Sequence, residues 1–162
     1  MISFRVFCLP IAQPRQRHRI VSEGLTSRQF VQNYTPAKHP VNAFKASIRL
    51  AASQVYQGPP LEGPLSVTLT FIFPRPASMQ WKKQPQPRAW HMKRPDAENV
   101  IKAFLDSLTG TIWRDDAQVS FLQVSKVIAS GDEQPGVEVM IREASEVPGS
   151  HVKAGVQFED SL

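Results

Sequence analysis

Apolar residues recur along this chain with two periods, and each change of period marks an element. Between Pro95 and Gly110, Ile101, Phe104, Leu105 and Leu108 fall at i, i+3, i+4 and i+7, which predicts a helix over roughly 96–109 with one apolar face. Pro95 suits its start, Asp96 and Glu98 complement its positive end, and Gly110 suits its stop. An earlier helix opens at Pro40 and runs to about Gln57, with Val41, Phe44, Ile48, Ala51, Ala52 and Val55 on one side. The cluster Gly58-Pro59-Pro60 ends it. Over 65–73 the period becomes two: Leu65, Val67, Leu69, Phe71 and Phe73 point one way, and Ser66, Thr68 and Thr70 the other. This predicts a half-buried strand packed on helices.

The remaining segments are read from weaker signals. Residues 2–9 suit a first strand, and 10–34 suit a loop or loose hairpin turning at Glu23-Gly24. The runs 117–128 and 137–142 are β-prone and are joined by Ser-Gly-Asp-Glu-Gln-Pro-Gly, a hairpin signal, although the first run has no clean alternation. Residues 74–95 hold five prolines, six Lys/Arg, two tryptophans and no acid, which excludes a central strand or helix interior and predicts an extended basic loop. The expected fold is α+β: a single domain over 1–144, with a mixed β-sheet packed against two main helices. Residues 145–162 are polar and read as a flexible tail.

Composition adds limits. With 162 residues and 41% hydrophobic content the chain can bury one modest core. No apolar run approaches the roughly 18 residues that cross a membrane, so no membrane partner is expected. Arg5 interrupts the first apolar run, which reads as a strand and not as a signal peptide. Cys8, the one cysteine, has no partner for an internal disulfide; it reads as packing, and a reducing cytoplasm is expected.

Charge is divided along the chain. Residues 1–95 carry 14 Lys/Arg against Glu23 and Glu62, whereas residues 96–162 carry 5 against 12 acids. A basic surface around an acidic centre suits an enzyme acting on a polyanion, and a basic protein with an acidic tail would have the same composition. Arg15, Arg17, His18 and Arg19 in the first loop, and Lys82, Lys83, Arg88, Lys93 and Arg94 in the second, are candidate phosphate contacts. Trp81, Trp90 and His91 are candidates to stack on unpaired bases.

The acids of the later helix gather at its two ends: Asp96 and Glu98 at the start, Asp115 and Asp116 just after it. Asn99, Lys102 and Asp106 share an arc away from the apolar face. Were the two acidic groups to converge, their mutual repulsion would be relieved by a divalent cation, and hard oxygen donors suit Mg²⁺ or Mn²⁺ rather than Zn²⁺. The same residues also read separately, as favourable helix-start charges, an i, i+4 pair of Lys102 with Asp106, and a turn.

The stretch Arg94-Pro95-Asp96-Ala97-Glu98-Asn99, followed by Lys102, Asp106, Leu108, Gly110 and then Asp115-Asp116-Ala117-Gln118-Val119, resembles the signature of the RusA-type Holliday-junction resolvases, a family of phage and prophage endonucleases. The basic first loop followed by Tyr34-Thr35-Pro36-Ala37-Lys38 also resembles the amino-terminal region of that family. The resemblance implies that Asp96, Glu98 and Asp116 are metal-binding carboxylates, with Asp115 a further candidate, and that Lys102 is required for cleavage. Asn99 and Asp106 match supporting positions. It further implies a Mg²⁺ cofactor that Mn²⁺ can replace, a homodimer, and branched DNA as substrate. Glu98 departs from the pattern, standing where the family more often has Asp, which implies altered metal preference or weakened activity. A restriction-type nuclease would need Asp/Glu-x-Lys on a later strand, and none occurs. A non-catalytic junction-binding protein and an RNA-directed nuclease remain as alternatives.

Overall fold

The apolar strand 65–73 becomes the centre of the molecule. In the computed structural model, which describes residues 1–15, 17–23, 28–81 and 83–145, the strands are β1 (Ile2–Phe7), β2 (Arg17–Glu23), β3 (Arg28–Tyr34), β4 (Leu65–Phe73), β5 (Ala89–Trp90), β6 (Val119–Ile128) and β7 (Gly136–Glu143). The helices are α1 (Pro40–Val55) and α2 (Ala97–Leu108). Strand order in the main sheet is β1-β7-β4-β6-β5, with β4 parallel to β6 and antiparallel to β7. The expected single α+β domain, a mixed sheet against two helices, is what forms. The tail expected from 145 falls almost wholly on 146–162, outside the described residues. No helix among the described residues is long and apolar enough to cross a membrane.

Three expectations change, one of them only in part. The runs 117–128 and 137–142 do form β6 and β7, but they are not a hairpin, because β4 lies between them and bonds to both. The most continuously apolar strand takes the position where both edges are paired and one face lies under the helices. The expectation of a half-buried β4 holds in part: on its second face Thr68 and Thr70 stay partly accessible, whereas Ser66 and Ile72 are buried. At the other end of the scale, Val55, placed on the apolar side of α1, is exposed at the helix terminus.

The first loop does pair as a hairpin, β2 with β3, in the register Glu23↔Arg28 to Arg17↔Tyr34. Helices α1 and α2 pack on one face of the main sheet. Val41, Phe44, Ile48 and Ala52 of α1 meet Val100, Ala103, Phe104 and Leu108 of α2 over Leu65, Val67, Leu69 and Phe71 of β4. Phe71 and Phe104 make an edge-to-face pair with centroids 6.3 Å apart. The buried stripe of α2 is turned by about one residue from the expected one, since Val100 and Ala103 are buried while Ile101 and Leu105 are only partly so. Close approach also explains Gly136, where a Cβ would collide with the Val6 carbonyl of β1.

Candidate active site

Helix α2 begins immediately after the cis Arg94-Pro95 bond, with Asp96 as its N-cap. The Asp96 carboxylate makes no hydrogen bond to the helix it caps, so its oxygens remain available, and it is exposed together with Glu98 and Asn99. Two contacts hold this start in place. Gln13 donates its backbone N–H to the Asn99 carbonyl at 2.8 Å, tying the segment after β1 to the first turn. Lys126 of β6 donates Nζ to the carbonyls of Lys93, at 3.0 Å, and of Pro95. Glu98, Lys102 and Asp106 then succeed one another at i, i+4 and i+8, a stripe along the solvent side.

The second acidic group is built by a tight exit from α2. Gly110 has φ +79° and donates its N–H to the Trp113 carbonyl at 2.7 Å, and Ile112 and Trp113 are wholly buried. Leu61 fixes the turn from outside by donating to the Ile112 carbonyl. Asp115 and Gln118 then form a reciprocal cap on a 3-10 turn, Asp116–Gln118: the Asp115 carboxylate accepts from Ala117 N–H at 2.8 Å, and Gln118 Oε1 accepts from Asp115 N–H at 3.2 Å. Gln118 Nε2 also donates to the carbonyls of Leu61 and Gly63. Asp115 is therefore engaged as a cap, whereas the Asp116 carboxylate takes no part in that cap; both residues are exposed. Partial burial, the Asp115 carboxyl beside it, and the charge of Asp106 raise the Asp116 pKa above the ordinary carboxylate value.

Lys45 of α1, not Lys102, is the partner of Asp106, at 3.1 Å. The i, i+4 pair of Lys102 and Asp106 is thus replaced by a bridge between helices, and Lys102 stays exposed on the stripe.

Within one chain the carboxylates fall into two groups. Asp96 and Asp106 are ten residues apart on α2, about 15 Å along its axis, and the charges acting on Asp116 come from the far end of the helix. Among the described residues no group of three or more His, Cys, Asp or Glu is placed to hold a metal ion. Asp96, Glu98 and Asp116 are thus not gathered into such a group within one chain. The donors themselves are chemically suited to Mg²⁺, being hard carboxylate oxygens, but one chain does not complete the set.

Basic candidates are distributed unequally. Arg15, Lys83, Lys93 and Arg94 are exposed. Arg17 and Arg19 lie on β2 opposite Tyr34 and Gln32, while Lys82 is outside the described residues. Arg88, expected to face phosphate, is instead taken by the protein's own acids: Nε donates to Glu133 at 3.0 Å and Nη1 to Glu138 at 3.1 Å, and Arg5 joins the same two carboxylates. The Arg88 hydrogen bonds, outweighing burial, hold the Glu133 carboxyl down to about 2. Trp81 and Trp90 are exposed, but His91 is stacked on Phe73, with centroids 4.1 Å apart and planes at 16°. Burial and then the Lys126 charge lower the His91 pKa. Two contributions went unnoticed in the sequence. Gln118 is legible in retrospect, three residues after Asp115 in a capping-box spacing. Lys126 carried only the signal of a lone charge in a β-prone run.

A model of the family described as Endodeoxyribonuclease RusA matches residues 9–142, which include α2, the acidic pair and the whole main sheet apart from β1 and the end of β7. An uncharacterized protein, YqaN, of Bacillus subtilis (strain 168) is 35% identical over 149 residues, covering 89% of this chain and 97% of that protein.

Proposed function

The chain belongs to the RusA endodeoxyribonuclease family, and we propose that it is a metal-dependent endonuclease that resolves four-way DNA junctions by paired hydrolysis of phosphodiester bonds, working as a homodimer. The observation that carries this reading is the exposed row on α2: an N-cap carboxylate unused by its own helix, Glu98, and a cation, Lys102, one turn further on. Carboxylates with an adjacent lysine, reached from a basic loop, suit a phosphodiester better than a neutral substrate.

In this reading Lys93, Arg94 and Lys83 attract and seat the phosphate backbone, and Trp81 and Trp90 offer ring faces to bases unpaired at a junction. Lys102 lies beside the scissile phosphate and neutralises the charge that grows on its oxygens. Lys126, by holding the Pro95 carbonyl, keeps Asp96 and Glu98 at a fixed position relative to the sheet. Asp96 and Glu98 are the metal ligands on this side, and Asp116, with Asp115 behind it, is the ligand that a second copy supplies. A bound Mg²⁺, or Mn²⁺ in its place, supplies polarisation of a phosphoryl oxygen and a more acidic water. Glu98 carries its carboxylate one methylene further out than Asp would, so the relative rates with the two ions are a property to measure. A two-fold pair of sites also suits two strands cut symmetrically.

The test is cleavage of a synthetic four-way junction and a matched linear duplex with Mg²⁺, Mn²⁺ or EDTA, for the natural chain and Asp96→Asn. Paired nicks in the junction alone, dependent on metal and lost in the variant, are expected. A junction bound tightly yet left intact with either ion would make the protein a binding module, and preferential cutting of structured RNA would change its substrate.

A further inference from the structure

A pocket of about 470 Å³ lies against the start of α2, walled by Pro10 and Ile11 after β1, by Phe73 at the end of β4, and by His91, Arg94 and Pro95. Its volume falls in the range of small-ligand sites. Most of the wall is apolar, and its few polar groups are informative. His91, stacked on Phe73, has its Nδ1 buried with no hydrogen-bond partner among the described residues. Such a nitrogen is costly to leave unpaired. The same holds for Oε1 of Gln13, in the segment that carries Pro10 and Ile11. Arg94 is exposed, with Lys93 beside it in the chain, and no acid lines the pocket.

Backbone contacts hold these walls in place. His91 N–H donates to the Lys126 carbonyl at 3.0 Å, Lys126 Nζ holds the carbonyls of Lys93 and Pro95, and Gln13 N–H holds that of Asn99. Pro95 precedes Asp96, so the pocket adjoins the carboxylates assigned to the metal. Apolar walls, a ring pair to pack on and an unpaired ring nitrogen suit a heterocycle, and the neighbouring cations suit one attached to phosphate. We infer that the pocket is a base-reading subsite: a nucleotide flanking the scissile phosphate leaves the helical stack and lodges its base against the rings of Phe73 and His91, where His91 Nδ1 bonds the edge of the base and Arg94 its phosphate. The lowered pKa of His91 keeps the imidazole neutral at pH 7, with one nitrogen donating and the other accepting. A base that offers the complementary atom is favoured over one that leaves Nδ1 unpaired, so the cut is selective for the base beside it as well as for the branch. In its position beside the cut, the subsite rests on the nuclease reading above.

The experiment uses fixed four-way junctions in which the bases flanking the cut are varied through all four, read by cleavage rate with Mg²⁺ and by affinity in EDTA. The natural chain is compared with His91→Phe, which keeps a ring on Phe73 and removes Nδ1, and with Ile11→Trp, which fills the pocket; melting curves establish that both variants fold. The natural chain is expected to favour one base by about 5- to 100-fold in rate, the span that corresponds to leaving one buried group unpaired. Both variants are expected to lose that preference. A second measurement needs no variant: a photoreactive halogenated analogue of each base stands in turn beside the cut position and is cross-linked to the natural chain in EDTA. Attachment to His91 or Phe73 is expected. Equal rates and affinities for all four bases, a preference unchanged in both folded variants, or the absence of attachment at His91 and Phe73 would overturn the subsite. Attachment at His91 with no cleavage under Mg²⁺ or Mn²⁺ sinks the nuclease reading and leaves the pocket standing, whereas metal-dependent cleavage blind to the base sinks the pocket alone.

Discussion

Lys126, near the end of β6, donates to the carbonyl of Pro95, the residue immediately before the Asp96 that caps α2. The same ammonium lies 5.7 Å from the Phe73 ring centroid, between the sheet and the helix start. Lys126→Met is expected to cost about 1.5 to 3 kcal/mol of stability, the range for hydrogen bonds to a charged group. Because the hydrogen bond to Pro95 positions the carboxylates, its removal should slow junction cleavage on the order of 10- to 100-fold while junction affinity changes little. Single-turnover rates beside binding isotherms check this; a proportional fall in both would make Lys126 a DNA-binding residue instead.

Asp116 makes a separate prediction about acid and stability. Its folded pKa is raised, so ionising it costs the folded state: the favourable contribution is complete below the ordinary carboxylate value and is lost as pH rises through the raised one. Asp116→Asn should therefore abolish cleavage, retain junction binding, and leave Tm at pH 7 equal to or above that of the natural chain. The difference should narrow on acidification. A variant that melts lower at neutral pH, or still cuts at the natural rate, would remove Asp116 from this role.

Glu133 behaves in the opposite sense. With its pKa held near 2 against an ordinary 4.5, chiefly by Arg88, it stabilises the fold above about pH 4.5 and loses that contribution as pH falls toward 2. Glu133→Gln is expected to lower stability at pH 7 by about 0.5 to 1.5 kcal/mol, since solvent at the exposed Arg88 side screens the pair. Urea unfolding at pH 7 and pH 3 checks it, since the gap between variant and natural chain should shrink at the lower pH.

For DNA binding the basic loop divides into two kinds of residue. Replacing Lys83, Lys93 and Arg94 with Ala should weaken junction binding and reduce the slope of log affinity against log salt by up to about 3, near one unit for each phosphate no longer neutralised. Arg88→Ala should instead lower stability with little change in that slope, because its guanidinium is bound to Glu133 and Glu138. An unchanged slope in the triple variant would mean that this loop does not touch phosphate.

Local chemistry determined much of the architecture. The limits of α2 follow from Asp96 and from Gly110 at positive φ, the limits of β4 from its apolar run, and the exposed row of Glu98, Asn99 and Lys102 from helical spacing. Each is fixed by residues within a turn or two of one another, which is the range over which caps, dihedral preferences and side-chain periodicity act. Tertiary structure alone decided that β4 separates β6 from β7, that Lys45 takes Asp106 across 61 positions of chain, and that Arg88 meets Glu133 across 45. It also decided that Val100 and Ala103 face the core, since α1 and the sheet set the angle at which α2 rolls. Partners so distant in the chain leave no periodic mark on the sequence: which cation reaches which carboxylate depends on strand order, and strand order follows from which apolar strand gains most by burial at the centre of the sheet.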